Sequence, residues 1–353
     1  MKTRSYVSVF VVFLVLGFIV SGGIGSGAFA DPIELRCAAY GTHDEGILGK
    51  GLDLLQVELD KRTKGQVKIK TYFGETLCKM MEIPRAVKSG MTDIGPVVAV
   101  YHPELFPYSF GASQSTMVTG GFELGDWIEG YRKFYNETPE ERECFTKNNQ
   151  KILAWWEYDK MAIISKKPIR SLEDMKNVKI RNSGEYLPRM FRAVGFLPIS
   201  VPATEAYDAV SRGMVDAIHA SPDTALKYRW YEYCKYYTEA PIYGTTLVFF
   251  LSINLDVWNK LPADIQKALV ESGEAMTQAM PGISLQVRKD FDKTFRAAGG
   301  QYLMLPEADQ QKWKSMIAED SMEYYITKME KKGIPKVREL VYRFAATMNY
   351  KWK

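Results

Sequence analysis

Apolar residues along this chain follow two periods that take turns. Val178 and Ile180 alternate with Lys179 and Arg181, the pattern of a half-buried strand. Asn182-Ser183-Gly184 break it with turn residues, and an amphipathic helix is expected from Leu187 to Val194. A second cycle runs through Leu197, Ile199 and Val201 into a helix over Ala206, Tyr207 and Val210, with Thr204 as N-cap and Gly213 as the C′ residue. Met214 to Ile218 begins a third strand. This strand–helix alternation predicts a doubly wound α/β unit, whose ligands bind outside the carboxyl ends of the strands. Arg181 stands at such an end.

The same alternation extends in both directions. Strands are expected over Ile33–Ala39, Val67–Tyr72 and Ile152–Trp156, with a helix over Ile47–Leu59 that stops at Gly65. Helices are expected over Phe122–Phe134 and Thr138–Asn148, the second opening on the capping-box signal Thr138-Pro139-Glu140-Glu141. Leu247–Leu251 reads as a strand. Pro262 to Ala298 is one long helical pattern, which Pro281-Gly282 should bend. A strand over Tyr302–Leu305 and helices over Glu307–Lys331 and Pro335–Met348 finish the chain.

The first thirty residues stand apart. Lys2 and Arg4, an apolar core from Val7 to Val20 and Ala28-Phe29-Ala30 make a secretory leader, with cleavage after Ala30. The formal net charge is +4, and Lys2 and Arg4 supply two of it, which is too little to imply nucleic acid. Export permits disulfides among Cys37, Cys78, Cys144 and Cys234. A Cys37–Cys78 pair and buried free thiols are both open. There is no G-x-S-x-G, H-E-x-x-H or phosphate loop, and only three histidines, so the chain carries no motif of an enzyme.

Two readings of Arg181 follow from its position. A neighbouring Asp or Glu neutralises it, or its planar fork waits for a ligand carboxylate. The run KPI-SLEDMKNVKIR from Lys167 to Arg181, then AVGFLPISVPATEAYDAVSRGMVDA from Ala193, resembles the solute-binding proteins of TRAP transporters, the DctP family. So do TYFGETLCKMMEIPRAVKSGMTDIG from Thr71, VYHPELFPYSF from Val100 and the N-x-x-x-W-x-x-L-P run ending at Pro262. The resemblance implies an α/β, two-lobe periplasmic-binding-protein fold, with a cleft between lobes and a long spine helix crossing both. It implies that Arg181 holds the substrate carboxylate.

On that basis the chain divides into a leader (1–30), a first lobe (31–157), a second lobe (158–261), a spine (262–298) and a completion of the first lobe with tail helices (299–353). Tyr40, His43, Phe73, Gly184, His219 and Thr246 are expected to complete the cleft. Trp155 and Trp156 alternate in side, so they cannot both face one core; core packing is the plainer reading, and Trp156 is the candidate to wall the cleft. His219 also has a plainer reading, a polar residue satisfied locally. The keto-acid branch of the family has a Glu-Trp pair that helps bind a metal where this chain has His219-Ala220, so no metal or other cofactor is expected. Sialic-acid binders use a second Arg where this chain reads Tyr158-Asp159-Lys160-Met161. Lys160 supplies charge there but no fork, which points to a smaller or more apolar carboxylate. The expected partners are that acid and TRAP permease subunits, with the receptor a monomer in the periplasm.

Overall fold

A computed structural model of the protein describes residues 32–43, 46–119, 124–182, 187–240 and 248–348. The leader, Gly184 and Thr246 lie outside them. Each lobe contains the βαβ alternation that the sequence predicts, and in the second a strand that was not predicted precedes it. The first contains β1 (Ile33–Ala38), α1 (Ile47–Thr63), β2 (Val67–Tyr72), α2 (Ile83–Ser89), β3 (Ile94–Val98), α3 (Pro107–Thr119), α4 (Asp126–Glu137), α5 (Pro139–Lys147) and β4 (Gln150–Glu157). The second contains β5 (Ala162–Ser165), β6 (Lys179–Asn182), α6 (Leu187–Ala193), β7 (Leu197–Ser200), α7 (Ala206–Ser211), β8 (Ala217–Ala220), α8 (Pro222–Lys227) and β9 (Tyr236–Glu239). The chain then forms β10 (Val248–Asn254), α9 (Leu255–Lys260), α10 (Ala263–Ala297), β11 (Gln301–Met304), α11 (Glu307–Lys331) and α12 (Val337–Thr347).

The strands form two sheets, ordered β2-β1-β3-β10-β4 and β11-β9-β5-β8-β6-β7. Strands joined by helical crossovers pair in parallel, as β1 does with β2 and β3, and β6 with β7 and β8. Two assignments of the sequence division need correction. Residues 248–254 were placed with the second lobe, yet β10 runs antiparallel between β3 and β4 in the first sheet. Residues 301–304 were placed with the first lobe, yet β11 pairs with β9 in the second sheet. An apolar run marks a strand but not its sheet, because the partners are chosen by long-range packing. The four cysteines are free thiols, so no Cys37–Cys78 bridge forms.

Two local signals also resolve differently. Thr138 precedes α5 without capping it through its side chain, because its hydroxyl accepts from Arg343 of α12 instead. Thr204 sits inside a short 3-10 turn that starts after Pro202, so it caps no helix. Gly213 does sit two residues past α7, with φ +71°.

Helix α10 joins the sheets. At 35 residues it is about 50 Å long. Its first half lies on α1 and β4, where Met276 and Met280 approach Gly51. Phe291 and Phe295 of its last turns pack on Tyr237 of β9 at 5.2 and 6.1 Å. Arg288 reaches Asp159 (3.2 Å), Glu239 (2.5 Å) and Asp292 (2.9 Å), tying the strand that leaves the first lobe and the end of β9 to the helix. Helix α11 spans both cores as well. Trp313 packs on Phe191, while Tyr325 packs on Phe110 of α3. Helix α12 belongs to the first lobe, with Phe344 stacked on Trp127 at 4.9 Å.

Gly273 sets how closely the spine lies on β4. A Cβ there would fall 2.0 Å from the Leu153 carbonyl oxygen, a backbone atom that cannot swing aside. Gly273→Ala should therefore cost about 1–3 kcal/mol of stability. Urea unfolding checks this, and an unchanged midpoint would mean that the helix lifts off the strand freely.

Glu157 ends β4 where the chain leaves the first lobe. It is 1% exposed and accepts a hydrogen bond from the Gly125 amide. Burial pushes its carboxyl up to about 8, the Gly125 amide opposes this, and Asp126 and Asp159 add to the rise. A carboxyl raised in the folded state holds its proton there, so its contribution is complete below about pH 4.5 and is lost as pH rises through about 8. Glu157→Gln should flatten this decline, with the variant more stable than wild type above pH 8 in denaturant titrations. Parallel pH profiles for the two proteins would refute the assignment.

Candidate functional site

Strand alternation aims Arg181. Its neighbour Ile180 enters the second-lobe core with Met190 and Phe191, so Arg181 projects from the opposite face toward the first lobe. Although 2% exposed, it meets no carboxylate among the described residues. Its Nε donates to the Val201 carbonyl at 2.7 Å, and its Nη2 to the Tyr101 hydroxyl of the first lobe at 3.1 Å. The guanidinium lies 5.8 Å from the ring centre of Trp230. A neutral carbonyl, a phenol and an indole do not offset a full charge removed from water.

The space in front of Arg181 is a cavity with ≈ 400 Å³ of atom-free volume including its mouth. It is narrow. Among the described residues Arg181 is its sole charged lining residue, and four phenols share the wall: Tyr40, Tyr101, Tyr158 and Tyr228. Met80, Val98, Met161 and Phe249 supply apolar surface. Tyr40 and Tyr158 pair through their hydroxyls at 3.3 Å, and the Tyr158 ring rests on Phe249 at 4.3 Å. Tyr228 stacks on Trp230 at 5.6 Å, with the rings inclined by 23°. Burial raises all three of the phenols Tyr40, Tyr158 and Tyr228 above their ordinary range, so they stay protonated.

Behind this wall α8 reaches the first lobe with two buried charges. The Asp223 carboxylate accepts from the Ile47 amide at the start of α1, at 2.7 Å. Lys227 passes its ammonium 4.8 Å from the Tyr40 ring centre. A Cβ at Gly41 would fall 2.0 Å from Lys227 Cε, and Gly41 holds φ +72°. Only glycine suits that place. Burial raises Asp223 and lowers Lys227, and each opposes the shift of the other.

The structure gathers part of the sequence-predicted set. Arg181 and Tyr40 line the cavity. Trp156 is one layer back, stacked on Phe249 at 5.4 Å, while Trp155 faces the other way beneath Arg132. His43 and Phe73 pair at 4.9 Å outside the cavity lining, and His43 reaches the exposed Asp53. Lys160 lines a separate pocket with Glu239 and Arg288. His219 is on the wrong face. Arg181 pairs in register with Ile218, so the next residue points into the second-lobe core against Phe191, at 5.4 Å. Burial first, and then the Arg181 charge, lowers its imidazole to about 3, so it stays neutral. Tyr101, Tyr228, Met161 and Phe249 were not foreseen. Tyr101 lies in the Val100–Phe110 stretch that resembles the family, and Tyr228 opens a run of aromatics that extends to Tyr237.

The family model described as bacterial extracellular solute-binding protein, family 7 (DctP) matches residues 38–328. The C4-dicarboxylate-binding periplasmic protein DctP of Rhodobacter capsulatus is 23% identical over 282 residues, covering 77% of this chain and 80% of that protein. Among solved structures, a marine metagenome TRAP solute-binding protein in complex with 3-hydroxybenzoate aligns at TM-score 0.82 and 18% identity, over 91% of this chain and 99% of its own. A Bordetella pertussis extracytoplasmic solute receptor binding pyroglutamic acid aligns at TM-score 0.71 and 20% identity, over 88% and 99%. Matched across most of its length by both sequence and fold, the chain belongs to the DctP family of solute-binding proteins that serve TRAP transporters.

Proposed function

We propose that the protein is a periplasmic receptor that binds a small organic monocarboxylate through Arg181 and delivers it to a TRAP permease. One observation carries this reading: a guanidinium 2% exposed whose described partners are all uncharged. A ligand carboxylate is the missing counter-ion, and it can engage the planar fork. The lining speaks for the rest of the ligand. Phenols and apolar side chains, without a second cation among the described lining residues, favour a ring or other compact body over a second acid group. Tyr101 of the first lobe and Arg181 of the second meet on the same site, so binding there favours the closed arrangement of the lobes. The relatives that hold 3-hydroxybenzoate and pyroglutamic acid agree with this ligand size.

Arg181→Ala should weaken benzoate or pyroglutamate binding by roughly 2–5 kcal/mol, about 30-fold to several thousand-fold. Arg181→Lys keeps the charge and loses the fork, so it should fall between. Calorimetry and urea unfolding on the same Ala variant separate the readings. Intact affinity with lowered stability would make Arg181 a structural residue and sink the proposal. For export, protein recovered from the periplasm should begin at Asp31, and N-terminal sequencing that finds the leader attached would count against cleavage after Ala30.

A further inference from the structure

The four phenols of the cavity are not equivalent. Tyr40 and Tyr158 have each other, and Tyr101 accepts from Arg181. The Tyr228 hydroxyl is sealed from solvent and has no hydrogen-bond partner among the described residues, although an edge of its ring is reachable. A buried hydroxyl left unpaired is costly, and native proteins rarely leave one without a reason.

Its position is fixed from several sides. Tyr228 follows the last turn of α8, where its amide bonds to the Thr224 carbonyl at 3.0 Å. One face of the ring stacks on Trp230, and the Lys227 ammonium lies 5.5 Å from its centre. The phenol therefore cannot swing toward water without leaving its stack. Because burial holds it protonated, it is available as a donor.

Trp230 also relates this phenol to the anchor. Its ring is 5.8 Å from the guanidinium carbon and 5.6 Å from the centre of Tyr228, so the anchor and that ring centre lie no farther apart than the sum. We infer that the ligand carries a second oxygen, a hydroxyl or carbonyl on a small ring, which accepts a hydrogen bond from Tyr228 while its carboxylate meets Arg181. This rests on the proposed carboxylate role of Arg181 and narrows the ligand to a hydroxy- or oxo-substituted ring monocarboxylate. An unsubstituted ring acid would leave the donor unpaired. Discrimination thus comes from the penalty of a buried donor as much as from the bond itself.

Two matched ligand pairs test the inference by calorimetry on the full mature chain: 3-hydroxybenzoate against benzoate, and pyroglutamate against cyclopentanecarboxylate. Wild type should prefer the oxygenated member of at least one pair by about 3- to 10-fold, the value of one neutral hydrogen bond. Tyr228→Phe should erase that preference while binding the unsubstituted member as well as wild type or better. Arg181→Ala should lose both members of each pair. If the preference survives in Tyr228→Phe, or is absent from wild type, the inference fails while the carboxylate anchor stands. If Arg181→Ala binds like wild type, the anchor itself fails. If none of the four acids binds, the proposed ligand class is wrong. Asp223 Oδ2 is a second buried atom without a described partner, and a Tyr228–Asp223 bond in solution would give a different result: lower urea stability in Tyr228→Phe with ligand preference intact. That too would overturn the inference.

Discussion

A full positive charge removed from water needs a negative one, and Arg181 lacks it within the described protein. Much of the site follows from that deficit. The strand that carries Arg181 buries Ile180 behind it, the Val201 carbonyl just past β7 steers Nε, and Trp230 lies against the guanidinium. These contacts orient the fork and leave its charge unspent. On the proposed reading, that charge is kept for a ligand anion.

The deficit also couples the site to the relation between lobes. Arg181 belongs to the second sheet and Tyr101 to the first lobe, so their contact exists only while the two are together. Asp223 and Lys227 extend the same logic behind the cavity, since α8 places both against the β1–α1 segment of the first lobe. Separating the lobes would rehydrate these groups, and joining them removes several charges from water at once. Such closure is favoured when an anion neutralises Arg181 in the same step. Arg288 sits outside the cavity, where it ties the crossover at Asp159 and the end of β9 to the spine. The long helix is thus fastened to the segments on either side of the cleft, rather than merely laid across them.

How much of this was legible depended on distance along the chain. Strand and helix identities follow from periods of two and 3.6 residues, which are local, and nearly every element they predict is present, although β5, α3, β9 and α9 were not among those predicted. Sheet membership is not local. Nothing in Val248–Leu251 says that it inserts between β3 and β4, and nothing in Gln301–Met304 says that it pairs with Tyr236–Glu239. The same limit explains His219. Its type and its strand were visible, but its face follows from the Arg181–Ile218 register, a tertiary fact. Trp155 and Trp156 were separated correctly because alternation alone decides that adjacent residues point apart. Nothing local marks Gly41 as the gap that admits Lys227, from a helix far along the sequence. Tyr228 was hidden among other aromatics, since composition cannot tell a packed phenol from one left without a partner.

Charge balance gives the last constraint on the ligand. Lys227 adds a second cation near the cavity, but Asp223 stands beside it and each shifts the other toward its charged form. The pair is close to neutral as seen from the cavity, which leaves Arg181 as the uncompensated charge among the described residues. A monoanion restores neutrality in a space with little room for water. A dianion would bring its second charge among phenols and methionines, where hydroxyl donors ease it but no cation of the described lining cancels it. The phenols are better matched to neutral oxygens, which need a donor and carry no charge to desolvate. On the proposed reading the described lining selects by subtraction: Arg181 meets one carboxylate, and a second finds no cation there.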